Sequence, residues 1–166
     1  MKRLFRRLAL LLLLIALLAG ACYMLWPHSF ADLQPECDRV TILRTDTAED
    51  YSLTTTKETY SADSPAFAQI TDILSHYTYH RSVRTLTKAN NVGGNHAGFW
   101  LHVYLDHGDD RVDFTCGGTG EILIDGLAWR VGYWGDRASL AMMAELAAVL
   151  EKAGEREGKH KISEAL

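Results

Sequence analysis

The stretch from Leu8 to Trp26 constrains this chain more than any other feature, because it runs for 19 residues without a charge. A helix rises about 1.5 Å per residue, so that length crosses a hydrocarbon core of about 30 Å. Pro27 ends the run, Lys2, Arg3, Arg6 and Arg7 precede it, and every acidic residue follows it. Basic residues keep their flank in the cytoplasm, and Trp26 suits the opposite interface. The expected product is a single-pass protein of the cell membrane with its C-terminal domain outside the cytoplasm.

Processing leaves three outcomes open. Ala19-Gly20-Ala21 has the small-x-small form of a signal-peptidase site and stands directly before Cys22. An uncleaved signal anchor, lipid attachment at Cys22, and cleavage after Ala21 with release all fit that pattern. A lipoprotein signal would place a large aliphatic residue three positions before the cysteine, whereas Ala19 stands there and Leu18 comes one place too early. The apolar run also continues through Tyr23, Met24, Leu25 and Trp26, which favours the uncleaved anchor over the lipid-anchored form.

Setting the four N-terminal basic residues aside leaves 13 Lys and Arg against 21 Asp and Glu, a net charge of about −8 on the rest of the chain. Such a surface repels phosphate backbones, and no basic stripe interleaved with aromatics runs through it, so nucleic acid is excluded as an expected partner. The membrane is the expected contact through the helix or a lipid. Of the remaining thiols, Cys37 and Cys116 are a candidate disulfide if the domain is exported.

The 166 residues leave room for one domain. Residues 1–27 form the signal anchor or lipoprotein-like signal, 28–38 a tether, 39–153 the extracytoplasmic domain and 154–166 a disordered tail. Val40-Thr41-Ile42 and Tyr51–Thr56 read as a hairpin around the polar Asp46–Asp50 segment. A helix starts at Ser64-Pro65 and carries Phe67, Ile70, Leu74 and Tyr77 on one stripe. The alternation from Thr78 to Thr87 reads as an edge strand. Phe99 to Asp106, Val112 to Cys116, Glu121 to Ile124 and Leu127 to Tyr133 then form an antiparallel meander, with Asp125-Gly126 as a type I′ turn. Asp136 caps a last helix with Leu140, Met143, Leu146 and Leu150 on its stripe and Gly154 as its stop. The fold class is α+β, a mostly antiparallel sheet packed by two helices on one face.

Four features bear on chemistry. His76 and His80 stand i, i+4 apart, but metal sites need three or four convergent ligands, and His96, His102 and Asp106 would have to converge on them, so no metal is expected. Cys116 before Gly117-Gly118-Thr119-Gly120 has the look of a nucleophile beside a backbone cradle, yet its parity with Val112 and Phe114 makes it a core residue beside a turn. Asn90–Gly98 is a glycine- and asparagine-rich connection without the Gly-Lys-Ser/Thr of a phosphate loop, and no cofactor is expected. The fourth is the sheet face turned away from the helices. It carries Trp100, His102, Tyr104, Arg111, Asp113, Thr115, Glu121 and Arg130, a set of aromatic and charged side chains suited to recognition.

These features make the expected function a membrane-anchored binding or interaction module, with Trp100, His102, Tyr104, Arg111, Asp113 and Arg130 as ligand-binding residues and an envelope protein or small ligand as partner. The alternative is a small exported hydrolase using Cys116, or a carboxylate pair drawn from Asp106, Asp113 and Glu121 with a histidine.

Overall fold

The computed structural model describes residues 2–34, 36–50, 52–84, 98–117 and 121–164, with side chains through Ala153 apart from that of Glu121. Helix α1 (Lys2–Leu25) contains no buried residue and has a mean hydropathy of 2.7 over its most apolar 18 residues. It is long and apolar enough to cross a membrane.

The next residues are not a plain tether. Ser29 caps a single helical turn, α2 (Phe30–Leu33), in a reciprocal box: its hydroxyl accepts from the Asp32 N–H, and the Asp32 carboxylate accepts the Ser29 N–H at 2.7 Å. The turn delivers Phe30 into the core, 6.4 Å from the Phe114 ring. His28 exchanges two backbone hydrogen bonds with Tyr79, at 2.8 and 2.9 Å, and so adds a bridge to the sheet edge.

Seven antiparallel strands follow: β1 (Arg39–Thr47), β2 (Leu53–Ser61), β3 (Tyr79–Arg81), β4 (Gly98–His107), β5 (Asp110–Cys116), β6 (Glu121–Ile124) and β7 (Leu127–Val131). They pair in the order β2-β1-β4-β5-β6-β7-β3. The hairpin and the meander thus join through β1 and β4, from Arg39 opposite Asp106 to Thr47 opposite Gly98. Asp125 and Gly126 both have positive φ, at 50° and 73°, as the tight β6–β7 turn requires. The expected loop at Asp46–Asp50 is shorter in fact, because pairing persists to Thr47 opposite Leu53. Of the strand expected over Thr78–Thr87, Tyr79–Arg81 pairs at the sheet edge beside β7, and Thr85–Thr87 lie outside the described residues.

Helix α3 (Pro65–Ser75) starts as its sequence dictates, with the Ser64 hydroxyl accepting from the Phe67 N–H at 3.1 Å. Helix α4 (Arg137–Glu164) lies beside it, and the Tyr77 hydroxyl donates to Glu145 at 3.0 Å across the pair. The buried stripe of α4 is Ser139, Met142, Met143, Leu146, Val149 and Leu150, while Leu140 stays 41% exposed. Nor does Gly154 stop α4. An interior glycine costs about 1 kcal/mol relative to alanine, which good helix formers such as Glu151, Lys152, Glu155 and Arg156 offset. Between helices and sheet, Val40, Ile42, Ile70, Leu74, Leu101, Val103, Leu105, Phe114, Ile122 and Val131 are all fully buried. The architecture is α+β, with the helices on one face of the sheet.

Candidate functional site

Strand parity places the sequence-predicted recognition residues. With Leu101, Val103, Leu105, Phe114 and Cys116 committed to the core, Trp100, His102 and Tyr104 of β4 and Asp113 and Thr115 of β5 must face the other way, and each is half-buried. His102 and Tyr104 stack at 6.4 Å with 17° between their rings, and the Arg111 guanidinium lies 5.0 Å from the Tyr104 ring centroid. Thr115 Oγ1 lies 3.1 Å from His102 Nδ1 and donates to Asp113 Oδ1 at 3.4 Å. The Trp100 ring covers Gly117, where an added Cβ would sit 3.0 Å from the indole. Glycine there lets the ring lie on the strand, so the aromatic ladder is set by backbone packing as well as by parity.

Asp106 closes the ladder at its far end. It pairs in register with Arg39 on one side and Arg111 on the other, and accepts from Arg111 Nε at 2.6 Å and Arg39 Nε at 3.1 Å. Its side chain is 5% exposed, whereas both arginines remain half exposed. Hydrogen bonding from Arg111 holds its carboxyl below the usual carboxylate range, against the opposing pull of burial and with further help from Arg39. A lowered folded value means that the stabilisation is present above the unfolded pKa of about 3.9 and is lost as pH falls through the folded value. Screening at the exposed arginines limits the contribution to about 1–2 kcal/mol. Urea titrations should therefore show Asp106→Asn less stable by that amount at pH 7, with the two stability curves converging toward pH 2. Parallel curves at all pH values would contradict the assignment.

The structure separates other expected groupings. Arg130, in β7, lies three strands from Trp100, about 14 Å at ordinary strand spacing, and joins a different group. Cys116 sits opposite Leu101, while Cys37 donates to the Arg39 carbonyl near Asp106, five residues further along β4. That distance does not admit a disulfide, and none of Cys22, Cys37 and Cys116 is disulfide-bonded. Cys116 is wholly buried, and burial pushes its thiol up to about 12, so it forms no thiolate near neutrality. Burial also raises the Cys37 thiol.

His76 ends α3 with its ring 2.7 Å from the Asp72 carbonyl, whereas His80 is buried in β3, so the two do not share a helix face. Among the described residues no group of three or more His, Cys, Asp or Glu side chains is arranged to hold a metal ion. Asn90–Ala97, with His96, lies outside the described residues, as does the Glu121 side chain.

Sequence reasoning identifies the β4–β5 ladder but misses the clamp around Asp106. One of its members, Arg39, comes from β1, whose pairing with β4 is invisible in local pattern. Comparison with protein-family models, curated proteins and solved structures gives no match to this chain.

Proposed function

We propose that this chain is a membrane-anchored binding module that faces the extracytoplasmic side and recognises a partner protein through the open face of its sheet. The observation that carries the reading is the ladder Trp100–His102–Tyr104, half-exposed on a sheet whose opposite face is filled by helices. Aromatic side chains held by strand packing bring contact area at low entropic cost, and Arg111 and Asp113 beside them give direction. A flat face of this kind suits a protein surface, and an envelope protein is the partner at hand for a domain held at a membrane. The hydrolase alternative is disfavoured by the buried, protonated Cys116 thiol and by the engagement of Asp106 with two arginines.

A photo-crosslinking residue at position 102 in intact cells should give a discrete adduct of higher mass, and one at the exposed Ala141 of α4 should not. Combining it with Trp100→Ala and Tyr104→Ala should cut the adduct at least about tenfold without a change in Tm, each aromatic being worth about 2 kcal/mol at the centre of an interface. Absence of the adduct, or an adduct that persists undiminished in the double variant, would remove the face from consideration.

A further inference from the structure

The end of α1 is fastened to the β3 edge of the sheet. The Leu25 carbonyl accepts from His80 Nδ1 at 3.2 Å, the Arg81 guanidinium lies 4.1 Å from the Tyr23 ring centroid, and His28 holds Tyr79 through its two backbone bonds. Beside this junction the connection from β7 to α4 turns through Gly132 and Gly135, both at positive φ, 70° and 67°. The Gly132 N–H donates to the Thr78 carbonyl at 2.8 Å, and the Tyr133 ring packs on that of His80 with 4.0 Å between centroids. The loop is thus fixed against β3. It nevertheless presents Trp134 outward, at 88% the most exposed large hydrophobic side chain among the described residues.

A single exposed apolar residue needs no explanation, whereas a contiguous patch does. Three segments far apart in sequence build one here. Leu25 at the end of α1, Val83 after β3 and Tyr133 line a common hollow of about 240 Å³, and each is half exposed or more. Trp134 adjoins the hollow through Tyr133, and Trp26 follows Leu25 with 65% of its surface exposed. A partner protein or a lipid surface would cover such a patch equally well, and continuity decides between them. Leu25 ends an apolar helix that buries none of its own residues, so a bilayer that covers α1 reaches the rim of the hollow. Tryptophan and tyrosine are enriched at that depth, where the ring lies in an apolar layer and its N–H or O–H meets water and headgroups. The patch thus continues the lipid-facing surface of α1 onto the folded domain.

We propose that the loop between β7 and α4 is a second membrane contact, in which Trp134, with Tyr133 and Val83 beside it, enters the interfacial layer of the bilayer and seats the domain against the membrane that α1 leaves. Two contacts in place of one fix the tilt of the sheet. The proposal rests on the reading of α1 as a membrane span, and its test keeps the two apart.

The full chain is reconstituted in phosphatidylcholine vesicles with a photo-crosslinking residue at position 18, 83, 134 or 49, and the irradiated chains are weighed intact. Leu18 lies within α1, and Glu49 lies in the β1–β2 turn near the other margin of a sheet that measures about 29 Å from β3 to β2 at ordinary strand spacing. The mass of one phosphatidylcholine should be added at 18, 83 and 134 and not at 49. Trp134→Glu should lower the adduct at 83 about fivefold or more, equivalent to about 1 kcal/mol, while Trp134→Phe keeps it. Neither variant should change Tm, because the side chain is exposed. Lipid added at 18 but at neither 83 nor 134, or equal yields at 134 and 49, would overturn the docking and leave the span intact. No adduct at 18 would overturn the span and the docking with it. In intact cells, an adduct from 134 to a second protein in place of lipid would overturn the lipid assignment in favour of a protein partner.

Discussion

Phe114→Ala is expected to remove about 3–5 kcal/mol of stability, the loss that follows when a large buried aromatic is truncated and its space stays open. Phe114 is fully buried at the centre of β5, with the Phe30 ring at 6.4 Å and the Tyr79 ring edge-on at 5.8 Å. Those neighbours cannot collapse into the gap. Tyr79 is pinned by its hydroxyl to the Leu74 carbonyl at 2.8 Å, and Phe30 is fixed by the capped turn of α2. A cavity therefore remains, and the cost approaches the upper part of the range. Domains of this size hold about 5–15 kcal/mol in total, so a fall in Tm of more than about 10 °C should follow. Leu140→Ala is the counterpart on α4: its side chain is 41% exposed, and a loss below about 1 kcal/mol is expected. Equal losses in the two variants would mean that the buried face of α4 is the one drawn from Leu140 and not the one through Met142 and Val149.

Replacing Lys2, Arg3, Arg6 and Arg7 together by serine should produce a mixture of orientations. Orientation follows the difference in Lys and Arg between the two flanks, counted within about 15–20 residues of the span. The N-terminal flank carries those four, while Arg39 and Arg44 are the basic residues within that distance after Trp26. Removing the four reverses the bias. Glu49, exposed in the β1–β2 turn, offers a reporter: Glu49→Cys should react with a membrane-impermeant maleimide in intact spheroplasts, and the serine variant should lose about half of that labelling or more. An unlabelled parent would place the domain on the cytoplasmic side, contrary to the proposed orientation.

Elements governed by neighbouring residues are legible in the sequence. Ser64-Pro65 specifies the start of α3, Asp125-Gly126 specifies its turn, and alternation through β4 and β5 assigns faces correctly from Trp100 to Thr115. What local pattern does not carry is pairing between distant segments. Nothing near Arg39 announces that β1 lies beside β4, and hence that Asp106 sits between two arginines. Nothing near Tyr79 announces that β3 crosses the sheet to its far edge beside β7.

The failure over residues 28–38 has a different cause. The Ser29–Asp32 capping signal is present, but a single helical turn is too short for a periodic stripe, so Phe30 reads as an isolated apolar residue in a polar linker. The candidate site is therefore half visible: the ladder follows from parity, whereas the Asp106 clamp needs Arg39 of β1, a segment far from β4 in sequence.

The two edges of the sheet are unequal. At β3 the first residue is already bonded to His28 and the strand is three residues long, whereas β2 is nine residues long and mostly exposed at the other margin. Pairing between copies then has one free lip, which has only another β2 to meet. Among the described residues, such a union is two-fold and closes on itself, a geometry that leads to dimers and not to a growing cross-β polymer.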